Sequence, residues 1–222
     1  MALIDKLMEK AKKAPKRIAI SECDSENMLK AARIVRDAGI GYPVLVNDPA
    51  VVSETAKKAG VGLEGMEIVD SSDQAAADTL ISRYYPQAVK PDLTKAEYRE
   101  KLADPMAWAM MLEAAGDVDC SFQGHVHTTG EVPRSALHII GLQKGITTAS
   151  MYALVETPGF EGSEGNVMVF ADCALNTDPD AEKLSSIAVS TADQIRALMG
   201  WEPRVAFLSF STDGSGKSGS VE

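Results

Sequence analysis

Two stretches of this chain carry residue types that together could hold an anion. The first is Gly124-His125-Val126-His127-Thr128-Thr129-Gly130, which follows an apolar run at Val118–Phe122 and leads into a helical pattern from Glu131 to Ile140. The hydroxyls of Thr128 and Thr129 and the unpaired N–H groups of a helix start can donate to a phosphate-like group. Arg134, one turn into the helix, can add a two-pronged hydrogen bond. The plainer alternative is a threonine N-cap followed by a surface arginine. His127 suits a hydrogen-bonding role in such a pocket. His125 and His127, at alternate positions, could share a strand face, but zinc requires three or four ligands and no third of the right kind is near, so no metal is expected. His138, inside the apolar run Leu137-His138-Ile139-Ile140, reads as structural.

The second stretch is Ser211-Thr212-Asp213-Gly214-Ser215-Gly216-Lys217-Ser218, after an apolar run at Arg204–Phe210. It nearly spells a phosphate-binding P-loop, but Ser211 stands where the leading glycine belongs and no helix follows. A nucleoside triphosphatase is therefore disfavoured, while a loop facing an anion or a coenzyme A phosphate is reasonable. A flexible loop is the alternative. Asp172, which closes the apolar run Asn166–Asp172, either does polar work at the carboxyl end of a strand or caps the turn at Thr177-Asp178-Pro179. Cys173 has no evident histidine partner and reads as a small buried residue.

The elements needed to position these residues follow from periodicity and punctuation. Leu3, Ile4, Leu7, Met8 and Ala11 recur at helical spacing, and Pro15 ends that helix. Short strands are expected at Arg17–Ile20, Pro43–Val46 and Met66–Val69. Helices alternate with them: one capped by Ser25 and running to about Ala38, one opening at Asp48-Pro49, and one from Asp73 to about Tyr84. This βαβαβ rhythm indicates a parallel sheet with helices on its faces. Helices at Thr94–Leu102 and Pro105–Ala115 follow, then the strand Val118–Phe122, a strand at Thr147–Leu154, the strand Asn166–Asp172, a helix at Pro179–Met199 and a strand at Arg204–Phe210. The expected division is a first α/β domain over residues 1–150 and a partial second one over 151–222.

Composition excludes several classes. With a net charge of −10 across 222 residues, the chain lacks the clustered cations a nucleic-acid binder needs. Its hydrophobic content of 45% and charged content of 24% are those of an ordinary globular protein. Three widely spaced cysteines, Cys23, Cys120 and Cys173, form no disulfide framework. The amphipathic N-terminus lacks the apolar centre of a signal peptide, and no segment has the length of a membrane span. A reducing cytoplasm is the expected compartment.

Taken in order, Leu3–Glu22, Lys30–Val46, Gly124–Ile140, Val167–Ala192 and Pro203–Ser218 resemble the phosphate acetyltransferase and phosphate butyryltransferase family over essentially the whole chain. The resemblance implies acyl transfer between coenzyme A and inorganic phosphate, with acetyl phosphate as the usual product, coenzyme A as substrate, and neither a tightly bound cofactor nor a metal. It implies two α/β domains like those of isocitrate and isopropylmalate dehydrogenases, with the second incomplete here and a cleft between them, and a homodimer as the typical state. In the family mechanism the coenzyme A thiolate attacks the acyl phosphate carbonyl directly. Carried over by position, His127, Thr128, Thr129, Arg134, Ser150, Ser211, Thr212, Gly214, Ser215 and Lys217 would bind substrate.

The chain also departs from the family pattern. Asn27 and Ala88 stand at two family arginine positions, and Pro91-Asp92 replaces a Lys-Gly turn. The resemblance places further strands, a Ser-Arg pair and an aspartate base beyond Glu222, so no catalytic base is assigned within this chain. A thiol of pKa about 8.5 is mostly protonated at neutral pH, and loss of a base slows its attack. The alternatives are a non-catalytic domain that binds acyl-CoA or acyl phosphate, resembling the regulatory domain of some malic enzymes, or an inactive fragment. Uncovered strand edges also lead to an expectation of self-association.

Overall fold

The computed structural model describes residues 2–89, 93–209, 211, 215 and 216. The chain divides into two compact units, one up to Gly141 and one from Leu142. The division falls ahead of residue 150, where the sequence was divided. The first unit runs α1 (Leu3–Lys13), β1 (Lys16–Ile20), α2 (Glu26–Asp37), β2 (Gly41–Val46), α3 (Pro49–Ala59), β3 (Glu67–Val69), α4 (Gln74–Tyr84), α5 (Lys95–Lys101), α6 (Pro105–Ala114), β4 (Cys120–Phe122) and α7 (Glu131–Ile139).

Its four strands form one parallel sheet in the order β3-β2-β1-β4. Alternation along the strands divides the core between two faces. Ile20 and Leu45 join Met28, Leu29 and Ala32 of α2 and Val52 and Ala56 of α3. On the other face Ala19, Val44 and Val46 join Ala77, Leu80 and Ile81 of α4 and the length of α6. Seven consecutive residues of α6, Met106–Leu112, are buried, which explains a helix that is apolar all round.

The helices start where their caps dictate. The carboxylates of Asp48, Asp73 and Asp104 accept N–H groups of the first turns of α3, α4 and α6, and proline follows Asp48 and Asp104. Thr94 and Glu97 close a reciprocal capping box on α5. Every β-to-α connection leaves the same carboxyl edge of the sheet, so the polar cap residues collect there.

The second unit contains β5 (Tyr152–Glu156) and β6 (Val167–Ala171), an antiparallel pair with Tyr152 opposite Ala171, and α8 (Ala181–Met199), capped by Asp180. Two expectations change here. The strand expected from Thr147 begins only at Tyr152, because the N–H groups of Thr147 and Thr148 go to the Ser186 hydroxyl at 3.0 and 3.2 Å rather than to a ladder. The apolar run from Arg204 is not a strand up to Ser209, and Leu208 is 85% exposed. Among the described residues no neighbouring strand takes up its N–H and C=O groups, and apolar residues alone do not make a strand. Among the described residues, no helix is long and apolar enough to cross a membrane.

Candidate functional site

The register of β1 against β4 places Ile20 beside Phe122. Two residues beyond these partners stand Glu22 and Gly124, so the loops leaving adjacent strands meet. Glu22 is 2% exposed. Its Oε1 accepts the N–H groups of Gly124, Val126 and His127 at 3.1, 3.0 and 3.0 Å, and its Oε2 accepts that of His125 at 2.8 Å. The positive φ of Gly124, 108°, helps aim these successive N–H groups inward as a main-chain nest. The anion-binding loop expected from the sequence is therefore filled by the chain's own carboxylate. Burial pushes the Glu22 carboxyl upward, but hydrogen bonds from the His127 N–H and imidazole and from His125 and Val126 outweigh it and bring it down to about 2.

His127 Nδ1 lies 2.8 Å from Glu22 Oε1. An ionised carboxylate only accepts, so Nδ1 carries the proton of this contact. Nε2 lies 3.6 Å from Oδ2 of Asp104, the N-cap of α6. Burial works against a charge on His127, yet the Glu22 hydrogen bond and the negative charges of Asp104, Glu22 and Glu131 raise its pKa above the usual histidine value.

His127 and Arg134 line one cleft of about 500 Å³, together with Lys101, Asp104, Glu131 and His138. The pattern of α7 explains this wall. Val132, Ala136 and Ile139 turn into the core, leaving Glu131, Arg134 and His138 on the other side. Arg134 is exposed and forms no hydrogen bond with a described residue. His138, read as structural, is half-buried on the cleft wall. The Thr128 hydroxyl donates to Glu131 Oε2 at 2.9 Å and accepts the Glu131 N–H at 3.3 Å, so it ties the turn just ahead of α7, whose own N-cap, Gly130, makes no side-chain bond. Thr129 is exposed, and its side chain bonds no described residue. A second cleft of about 450 Å³ lies beyond the carboxyl ends of β2 and β3, lined by Asn47, Asp48, Ser71, Ser72, Arg99 and Trp108 among others. Arg99 there is paired with Asp78. Among the described residues no cluster of three His, Cys, Asp or Glu side chains is placed to hold a metal ion.

The remaining expected residues belong to the second unit. Ser150 Oγ lies 3.4 Å from Ser190 Oγ, and the Ser211 hydroxyl bonds both the N–H and the C=O of Gly216 at 2.9 Å. Ser215 is exposed, while Thr212, Gly214 and Lys217 lie outside the described residues. So does Glu222, the position beyond which the resemblance places the family's catalytic base. Asp172 accepts the N–H groups of Ala174, Leu175 and Asn176 at 2.8, 3.0 and 3.1 Å, so it ties its own turn. Burial raises its carboxyl, and these bonds more than offset that, leaving it below its usual range. Cys173 is exposed, not buried as its place beside an apolar run suggested, because it stands past the end of β6.

Glu22 is the residue that sequence reasoning missed. It belongs to no local motif, and its partners lie more than a hundred positions away. The available signal was an acid two residues beyond a buried strand, adjacent in the sheet to the strand that feeds the histidine loop.

A cleft presenting a guanidinium from the first turns of α7 and an imidazole from the loop after β4 suits an oxyanion bearing several acceptor oxygens. The chain is similar over this site and far beyond it to proteins of one kind. It is 34% identical over 215 residues to a phosphate acetyltransferase of Thermoanaerobacterium thermosaccharolyticum, covering 97% of this chain and 65% of that protein. It is 37% identical over 217 residues to a phosphate acetyltransferase of Escherichia coli, covering 97% of this chain and 29% of that one. A solved phosphotransacetylase from Streptococcus pyogenes superposes with a TM-score of 0.83 at 28% identity, over 99% of this chain and 66% of that one. The chain thus spans about two thirds of the length of the first of these relatives. The family model for phosphate acetyl/butaryl transferase matches residues 2–222, and the chain belongs to that family.

Proposed function

We propose that the chain takes part in acyl transfer between coenzyme A and inorganic phosphate, acetyl-CoA plus phosphate exchanging with acetyl phosphate plus coenzyme A. In the direction of thioester formation the coenzyme A thiolate, its proton already released to solvent, attacks the carbonyl carbon of acetyl phosphate. A C–S bond forms, the bond from that carbon to the phosphate oxygen breaks, and phosphate leaves with the electron pair. What this chain's residues would contribute is the phosphate end. The Arg134 guanidinium, on the cleft wall near Glu131 but hydrogen-bonded to no described residue, is the observation that carries the reading, because such a fork matches phosphate geometry and stabilises the charge that grows on the leaving group. His127 on the same cleft would add a second donor. Coenzyme A serves as substrate, and no tightly bound cofactor is part of the proposal.

The reading extends to a pair of α/β domains of the isocitrate dehydrogenase type, to a homodimer, and to a reducing cytoplasm. Three free cysteines agree with that compartment. Ser150, Ser211 and Ser215 of the second unit are proposed to bind substrate on positional grounds, as are Thr128 and Thr129, and Thr212, Gly214 and Lys217 on sequence alone.

Coenzyme A-dependent thioester formation from acetyl phosphate, followed with the purified chain and with Arg134→Ala, tests the proposal. The expected result is turnover that falls by about 10²-fold or more in the variant, the scale of losing one charged donor from a transition state, about 3 kcal/mol. Equal turnover in both proteins would remove Arg134 from the reaction. No turnover together with no coenzyme A or phosphate binding by folded protein would overturn the proposal.

A further inference from the structure

We propose that Glu22 is a positioning residue of the anion cleft: it fills the main-chain nest of residues 124–127, holds His127 with Nδ1 protonated, and leaves Nε2 on the cleft side, so that a proton on Nε2 and an anion in the cleft bind cooperatively. The proposal rests on reading the Arg134 cleft as the phosphate site and adds to it the group that sets its pH response.

The geometry leaves few other roles for these groups. Glu22 accepts four main-chain N–H groups and the imidazole Nδ1. A phosphate cannot take the same donors while the carboxylate is there, so an anion entering the cleft must be met by side chains. The cationic ones on the cleft wall are the Arg134 guanidinium, the Lys101 ammonium and, when protonated, the Nε2 edge of His127, with the Ser135 hydroxyl and the His138 ring further along α7. The surroundings of that edge are otherwise acidic. Asp104 lies 3.6 Å from Nε2, Glu131 stands on the first turn of α7, Glu100 of α5 lines the same wall, and His138 lies further along α7. A neutral His127 would turn a lone pair toward an incoming anion, beside these carboxylates. A protonated one presents an N–H donor and a positive charge. Anion binding therefore favours the proton, and by linkage the proton favours the anion. Glu22 decides where on the pH scale this happens, because its charge stabilises the imidazolium from the Nδ1 side, and it fixes which nitrogen is left to face the ligand.

The experiment uses the full chain with sulfate as probe, since sulfate keeps its charge across about pH 5–8, where histidine titrates. Nitrogen-15 NMR of the His127 ring, recorded without ligand, gives its tautomer and titration midpoint; calorimetry gives sulfate affinity against pH. In the wild type the neutral ring is expected as the Nδ1–H tautomer, and sulfate affinity falls as pH rises through the His127 midpoint. In Glu22→Gln the midpoint moves down, the fall in affinity moves with it, and binding near neutral pH weakens by about fivefold, the low end of coupling between linked sites. His127→Gln should bind weakly with little dependence on pH over the same range. A folded Glu22→Gln protein with an unchanged midpoint and unchanged affinity profile overturns the proposal. So does a wild type whose ring is the Nε2–H tautomer, or whose sulfate affinity ignores pH, and neither of these needs the variant to fold. Sulfate binding that survives Arg134→Ala at full strength would instead sink the assignment of the cleft, while the ring NMR would still decide the role of Glu22.

Discussion

The hydroxyl of Tyr84 donates to the carbonyl of Ile139 at 2.7 Å, with Tyr84 1% exposed, and so ties the last residue of α4 to the last residue of α7. The Ile139 carbonyl is one of the four that a helix end leaves without an intrahelical partner. Tyr84 also packs edge-on against Tyr98 of α5, ring centroids 5.2 Å apart. The helix that presents Arg134 is thereby held by a buried polar contact 55 positions away. Tyr84→Phe keeps the ring and removes the hydroxyl, which leaves the buried Ile139 carbonyl without its donor and also takes away the hydroxyl's polar contact with Tyr98. It should cost about 1–3 kcal/mol in chemical denaturation. A loss under a few tenths would mean that water or another donor serves Ile139.

Acid should weaken the first unit through Glu22. Its folded pKa is depressed from 4.5 to about 2. A depressed carboxyl contributes stability that is complete above the unfolded value and is lost as pH falls through the folded one. The contribution, on the order of 3 kcal/mol, should therefore disappear between about pH 4.5 and 2. His127, whose pKa is raised, acts in the opposite sense, giving stability below its unfolded value that is lost as pH rises through the folded value. Denaturant midpoints measured against pH should fall on the acid side in the wild type and be flatter there in Glu22→Gln. Parallel acid limbs would assign the loss to other carboxylates, of which Asp172 in the second unit is one with a lowered pKa.

Most of the first unit could be read from the sequence because its information is local. Caps at Ser25, Asp48, Asp73, Thr94 and Asp104 mark helix starts within a residue or two, and the short β-rich runs between them have no helical alternative. His127 and Arg134 could be found for the same reason, since seven positions across a helix start place them on one wall. Glu22 could not, because its role depends on the pairing of Ile20 with Phe122, a register that no periodicity encodes. Nor could the second unit be read as well. There an apolar run reads as a strand whether or not it has a neighbour to pair with, and the Ser186 hydroxyl accepts two N–H groups, of Thr147 and Thr148, that the apolar pattern assigns to a strand.

The three thiols should react in a fixed order. Cys173 is exposed and lies outside any element, Cys120 is half-buried, and Cys23 is buried. Burial first, with the charge of Glu113 behind it, raises the Cys120 thiol, while burial drives the Cys23 thiol up to about 12. Thiolate is the reactive form, so exposure ranks the three sites, and the raised thiols of Cys120 and Cys23 slow those two further. Alkylation followed by mass spectrometry of peptides should label Cys173 first, Cys120 more slowly, and Cys23 only on unfolding. Early labelling of Cys23 in native protein would contradict the packing of α2 on β1.

Two glycines flank α7, and substitution should affect them in opposite senses. Gly130 precedes the helix with φ −87° and ψ −30°, and a Cβ there meets nothing within 4 Å. Alanine can adopt that conformation without strain, so Gly130→Ala should stabilise by about 0.4–1 kcal/mol, chiefly by restricting the unfolded chain. Gly141 follows the helix with φ +82°, and a Cβ there would lie 2.8 Å from a methyl of Val89. Its N–H closes the helix end on the Ala136 carbonyl at 2.9 Å, a bond that requires this left-handed turn. Gly141→Ala should therefore destabilise by about 1–2 kcal/mol from backbone strain alone. Val89 is partly exposed and can move aside, which keeps the steric part small. Asparagine tolerates positive φ better than alanine, so Gly141→Asn should fall between the two. Melting temperatures of the four proteins, measured together, should rank Gly130→Ala above wild type, then Gly141→Asn, then Gly141→Ala. A Gly141→Ala protein as stable as wild type would show that α7 does not end in the turn described, and the placement of Arg134 on that helix would have to be revised with it.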